Sequence, residues 1–420
     1  MTGLLRPAFC GARNDGPGSS LRAERSNLEK VILEIILSND YVHFMLKQEF
    51  HILNALRGLS VLFVIFYHFF VFFFSHQTMS AGLLQIDPKD LVEPFYLQML
   101  GDFPFNIGHF GVAFFFLISG FLIQPSLERY PSLWSYLTHK IFRLWPSYAI
   151  CFLMGLLFVV AFSLLRGSEF PYTADHLFAY FFWMRDIFHY SFIDGAVWSL
   201  EIQVKFYLFA GIIWSFCRKN FLEKFVFITL FLSFFVYGLY TFFDGEDASW
   251  FYFVTLARRN LKYFILILLG TCLYAFYKKQ ISWQKGVGLS SLLLVSFVSP
   301  LFNAPEVAKI ISYLSAFFIF SYLILFHAKG FGHKGVCHKF IKWASDISYP
   351  LYIGHVLPGY VMMFYAIEQG LSVYWGIFAA LVYVFVMADI VHKKVEVSFL
   401  RMSNALSSRI YFGISLLKRS

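Results

Sequence analysis

The chain is 420 residues long, 59% hydrophobic and 21% aromatic, and only 14% of it is charged, where a soluble domain carries about a quarter. So much apolar surface cannot be hidden in one water-facing core, which excludes a soluble enzyme and leaves an all-α, polytopic integral membrane protein. The net charge of +9 reports, in such a chain, Lys/Arg-rich cytoplasmic loops rather than nucleic-acid binding.

Residues 1–50 differ from the rest, with Gly, Ser and five Lys/Arg before Val31. They lack the apolar core of a signal peptide and read as a cytoplasmic extension, with an amphipathic helix near Leu28 to Leu46. Apolar runs able to cross about 30 Å of hydrocarbon then recur near 59–75, 109–124, 145–165, 196–216, 225–243, 261–277, 286–302, 309–327, 347–368 and 373–391. About ten transmembrane helices are expected, in a domain spanning residues 51–396, followed by a cytoplasmic tail at 397–420. The aromatic run His176 to Phe192 contains Arg185, Asp186 and His189; counting it as a span would invert every later loop, so it reads as re-entrant or interfacial. With both termini inside, Lys and Arg concentrate in the cytoplasmic loops and Asp and Glu in the outer ones. Arg258, Arg259 and Lys262 are the one basic cluster on the outer side. The five cysteines form no CxxC pair, so neither a disulfide framework nor a metal site is expected.

The first span holds "LRGLSVLFVIFYH", with Arg57 and His68 eleven residues apart. On an α-helix this separation is three turns with a remainder of roughly 20° and a climb of about 16 Å. The two share a face, arginine at the cytoplasmic mouth and imidazole near mid-membrane. Ionisable groups at such depth are costly and mark a functional pathway or an internal partner. A neutral, hydrogen-bonded structural histidine is the bland alternative. Farther on, Glu201 can pair with Lys205 one turn away, Ser119 and Gly120 form a notch suited to close helix packing, and His109 and Trp198 stand where a sugar can be met.

Together these motifs resemble the acyltransferase-3 family of integral-membrane acyltransferases, which acylate bacterial surface glycans. The resemblance rests on Arg57 and His68 in the first span, "GVAFFFLISGFLI" (Gly111 to Ile123), "KIFRLWP" (Lys140 to Pro146), "VWSLEIQVKFYL" and "SYPLYIGH" ending at His355, in family order over Leu53 to Glu396. It implies a membrane O-acyltransferase that takes an acyl group, acetyl above all, from cytosolic acetyl-CoA. The acceptor would be a hydroxyl of a glycan such as O-antigen, at a bacterial plasma membrane, with lipid, acyl-CoA and glycan as partners and no metal. His68 would be general base or acyl carrier, and Arg57, Lys140 and Arg143 would hold the donor's phosphates. Glu201, Gln203, Tyr207, His355 and Ser119 are substrate or tunnel candidates. The oligomeric state and the acyl group's identity stay open.

The chain departs from the family pattern at three carboxylate positions, occupied here by Asn54, Ala113 and Gln203. His68 is left without an acidic partner to orient it, and Tyr67 or Tyr207 are substitutes. The alternatives are a polytopic transporter or flippase relaying protons through His68, Glu201 and His355, and a non-catalytic family member.

Overall fold

The computed structural model describes residues 51–88, 91–92, 94–97, 104–130, 132–243, 249–299, 307–327 and 336–403. The expected N-terminal extension with its amphipathic helix, most of the outer acidic residues and the end of the tail lie outside the described residues. Every regular element among the described residues is helical.

The first helix, α1 (His51–Ser75), is mostly apolar but changes pitch toward its C-terminal end: from Tyr67 to Phe72 it opens into a π-helical turn. The regular α geometry that relates Arg57 to the imidazole thus holds only to Phe66, and His68 sits on the widened turn. Such π-turns are rare and concentrate at functional sites. After α2 (Gln77–Leu83), helix α3 (Ile107–Phe121) is capped by Asn106, whose side chain accepts from the His109 N–H at 2.9 Å.

Helix α4 (Leu133–Arg166) begins at a Ser132/Ser135 capping box and ends at Gly167, whose φ of +65° suits glycine. Its 34 residues make about 51 Å, well beyond a bilayer's hydrocarbon, so its first turns, with Lys140 and Arg143, extend past the apolar core. The short helix α5 (Ala174–Phe181) then gives way to an irregular segment in which Trp183 and His189 have positive φ. The His176 to Phe192 run is therefore no span.

Farther along the chain come α6 (Val197–Phe216), α7 (Phe221–Phe242), α8 (Ser249–Tyr277), α9 (Trp283–Val298), α10 (Val307–Tyr322), α11 (Val336–Asp346), α12 (Ser348–Ile353), α13 (Val356–Glu368) and α14 (Val373–Val391), while Ile123–Arg129 forms a short helix directly after α3. Eight helices among the described residues are long and apolar enough to cross a membrane. Of the two other expected spans, the one at 286–302 is described only to 299, as α9 and Ser299, and the run at 347–368 is broken into α12 and α13. The break falls at Gly354 and His355, and Pro358 accounts for it: without an N–H it cannot bond the carbonyl four residues back, that of Gly354. The helical run of α14 continues to Ser403, so residues 397–403 extend the last helix rather than starting a tail.

The core is tightest where α3 meets α8. A Cβ on Gly120 would lie 1.7 Å from the Ile267 carbonyl oxygen, and one on Gly270 would lie 2.1 Å from that of Leu117. Only glycine permits this approach. Thr271 secures the contact by donating to the Gly120 carbonyl at 3.0 Å.

Candidate active site

Four elements that are far apart in sequence bring their polar side chains to one narrow pocket of about 90 Å³. Helix α1 supplies Arg57, α3 supplies Ser119, α4 supplies Lys140 and Arg143, and α6 supplies Gln203 and Tyr207. The opposite wall is the start of the broken helix, Ser348, Tyr349 and Tyr352, together with Glu396 in the π-helical turn His392–Glu396 that follows the last apolar run.

The charge balance of this pocket is lopsided. Arg57, Lys140 and Arg143 face a single carboxylate, Glu396, which itself holds the His392 Nδ1 at 2.8 Å. None of the three cations has an ion-pair partner among the described residues; Arg57 only donates to the Ser348 hydroxyl at 3.3 Å. Lys140 is 8% exposed, with its ammonium 4.2 Å from the Tyr207 ring centroid and 5.4 Å from that of Tyr136. Burying an ammonium against aromatic faces recovers part of the lost hydration, yet leaves positive charge uncompensated. A pocket so built suits an anion.

The small polar groups at its centre are bound to each other. Tyr207 donates to Ser119 Oγ at 3.1 Å, and Ser119 in turn donates to Gln203 Oε1 at 3.1 Å. Gln203, in a family carboxylate position, thus works as a neutral acceptor. Gly120, the neighbour of Ser119, makes the close α3–α8 packing, so the notch carries both packing and pocket wall.

One lining residue, Tyr352, connects the pocket to the histidines. Tyr352 donates or accepts a 2.7 Å bond with Ser199; its carbonyl meets His355 Nδ1 at 2.8 Å. His355 is fully buried at the helix break, and its Nε2 lies 2.6 Å from Nδ1 of the half-buried His68, the two rings stacked with centroids 4.8 Å apart. Tyr67, beside His68, accepts from Asn106 at 3.1 Å. On the same side, His109 bonds the Tyr313 hydroxyl at 2.7 Å and packs 6.3 Å from Trp198, which in turn packs 5.2 Å from Tyr263.

Residues 50–392 match the family model described as an acyltransferase domain. The chain belongs to the acyltransferase-3 family. It is a multi-pass membrane acyltransferase. No curated protein and no solved structure matches it.

Of the candidate residues, His68, His355 and Glu201 do not line the pocket; the two histidines connect to it through Tyr352, whereas Glu201 is engaged elsewhere. Glu201 points away from the pocket and forms a two-pronged pair with Arg185, Nε to Oε1 at 3.0 Å and Nη2 to Oε2 at 2.6 Å. The Glu201–Lys205 pair expected from their spacing is not made, because Arg185 presents a planar fork that matches a carboxylate. Lys205 bonds Asp186 instead, as does Arg259 at 3.1 Å. Within the basic cluster, Arg259 joins this network through Asp186, and Arg258 separately lies 3.8 Å over the Tyr240 ring. In this acyltransferase, sequence alone also missed Glu396, Ser348, Tyr349 and Tyr352; Ser348, Tyr349 and Tyr352 sit inside the "SYPLYIGH" motif, whereas Glu396 had only its four-residue spacing from His392.

Proposed function

We propose that this acyltransferase takes an acetyl group from acetyl-CoA at the Arg57 end of the pocket, on the cytoplasmic side of a bacterial plasma membrane, and delivers it to a hydroxyl of a cell-envelope glycan. The observation that carries this reading is the pocket itself: three cations without ion-pair partners among the described residues, one of them a buried lysine, in a pocket whose Tyr352 bonds through its carbonyl to the His355–His68 pair. The donor is an anion with a long, thin pantetheine arm. Its phosphates suit Arg57, Lys140 and Arg143, and its thioester would travel past Tyr352 toward His68.

In the transfer, His68 takes the proton of the acceptor hydroxyl while the hydroxyl oxygen attacks the thioester carbonyl. The carbon–sulfur bond breaks, and the departing thiolate receives that proton from His68. The ester and the free thiol are the products, and His68 returns to its neutral state. The acceptor approaches from the side of His109, Trp198 and Tyr263, whose rings and polar edges suit a sugar. The transporter reading is disfavoured by Glu201, a relay group in that scheme, since its carboxylate is held by Arg185.

Inverted membrane vesicles carrying the protein, given labelled acetyl-CoA, test this. Wild type transfers label to the glycan fraction, His68→Ala does not, and Arg57→Ala regains transfer at high donor concentration. Vesicles with wild type that label no more glycan than empty ones contradict the reading.

A further inference from the structure

The hydrogen-bond chain through His355 has a direction, and it decides which nitrogen of His68 is free. The carbonyl of Tyr352 can only accept. Its contact with His355 Nδ1 at 2.8 Å therefore places the proton of neutral His355 on Nδ1 and leaves Nε2 as a lone pair. That lone pair faces His68 Nδ1 at 2.6 Å, so His68 must be the donor, with its proton on Nδ1. The nitrogen left with a lone pair is His68 Nε2, which has no hydrogen-bond partner among the described residues, on a ring that is half-buried rather than sealed.

The helix break makes this chain possible. In an unbroken helix the Tyr352 carbonyl would accept from the Val356 N–H; here α12 stops at Ile353, and the carbonyl is turned to the imidazole instead. Stacking at 4.8 Å and the 0% exposure of His355 fix the second ring in place.

We infer that His355 is the positioning residue of the transfer: it occupies the orienting role for which the described residues supply no carboxylate, locks His68 in the Nδ1–H tautomer, and aims Nε2 at the reacting groups. This rests on the acetyl-transfer reading for its chemistry but not for its geometry. When Nε2 takes a proton, the positive charge is shared through the short bond by the Nδ1 proton moving toward His355 Nε2, rather than met by a fixed anion. His355→Gln keeps an acceptor oxygen for the His68 N–H, whereas His355→Leu removes it.

The full chain labelled with ¹⁵N-histidine, in lipid nanodiscs, gives the direct readout, with His68 assigned by comparison with His68→Gln. A protonated, pyrrole-type Nδ1 and an unprotonated, pyridine-type Nε2 on His68 are expected. His355→Leu should shift His68 toward Nε2–H and lower kcat at least about tenfold, with the donor KM unchanged, since a wrong tautomer disables a catalytic imidazole; His355→Gln should restore most of both. Nε2–H on wild-type His68, or a His355→Leu protein with unchanged tautomer and kcat, overturns the inference. Wild-type protein that transfers no acetyl group yet carries the Nδ1–H tautomer supports the locked pair and contradicts the transfer reading alone.

Discussion

Lys140 is the residue that most constrains what the pocket can hold. A lysine that is 8% exposed, without a carboxylate partner among the described residues, is costly to keep charged, and an anionic ligand relieves that cost. Lys140→Met should therefore raise the donor KM by about tenfold or more, the size of one charge-assisted contact, while leaving kcat within a factor of about two; steady-state kinetics with acetyl-CoA separates the two. His68→Ala should do the reverse, lowering kcat by about 10² to 10⁴-fold. Asp194, in the loop before α6, offers a pH signature. Burial pushes its carboxyl up to about 7, despite the bond of 2.7 Å that it accepts from the Ala196 N–H. A native state that holds this proton above the ordinary carboxylate range is most stabilised at low pH, and that stabilisation is lost as pH rises through about 7. The thermal midpoint in detergent should fall between pH 5 and pH 8, and Asp194→Asn should flatten the slope.

The elements that position the site are those that depart from regular helix. The π-turn at Tyr67–Phe72 carries His68, the break at Gly354–His355 turns a carbonyl to His355, and the irregular segment after α5 delivers Arg185 and Asp186 to α6 and α8. The last of these is anchored by charge. Arg185→Met leaves Glu201 buried and unpaired and should cost about 3–5 kcal/mol; the double variant Arg185→Met, Glu201→Leu should recover most of it, measured as detergent-solubilised unfolding. Helix α3 against α8 depends on size instead. Gly120→Val places atoms where the Ile267 carbonyl stands and should destabilise by more than the roughly 1–3 kcal/mol typical of overpacking. Hydropathy made the long helices legible, because each needs only length and apolar residues. It could not show the π-turn, which leaves no trace in composition, nor that a proline four residues after Gly354 would split the ninth apolar run at the histidine. Spacing along α6 suggested Glu201 with Lys205, but the partner came from a segment sixteen residues earlier in sequence that only the tertiary fold brings near.

At the scale of the whole molecule, a membrane body of 59% hydrophobic residues gathers polar groups from α1, α3, α4, α6, the start of the broken ninth run and the turn at Glu396 around one pocket. Arg57, Lys140, Arg143, Gln203, Tyr207 and Ser119 were legible as candidates because short motifs mark them; their convergence, and the inclusion of Glu396, were not, since no local pattern states which helices are neighbours. The pocket's charge predicts that binding of an anion there weakens as ionic strength rises, where its mouth meets water. The claim that joins these scales is that the three cations form the donor site while His68 does the chemistry. Equilibrium binding of labelled acetyl-CoA to the purified protein tests it most directly. Saturable binding by wild type and by His68→Ala, lost in the triple variant Arg57→Ala, Lys140→Met, Arg143→Ala, is the expected result. Equal binding by the triple variant, provided it remains folded, would contradict the account.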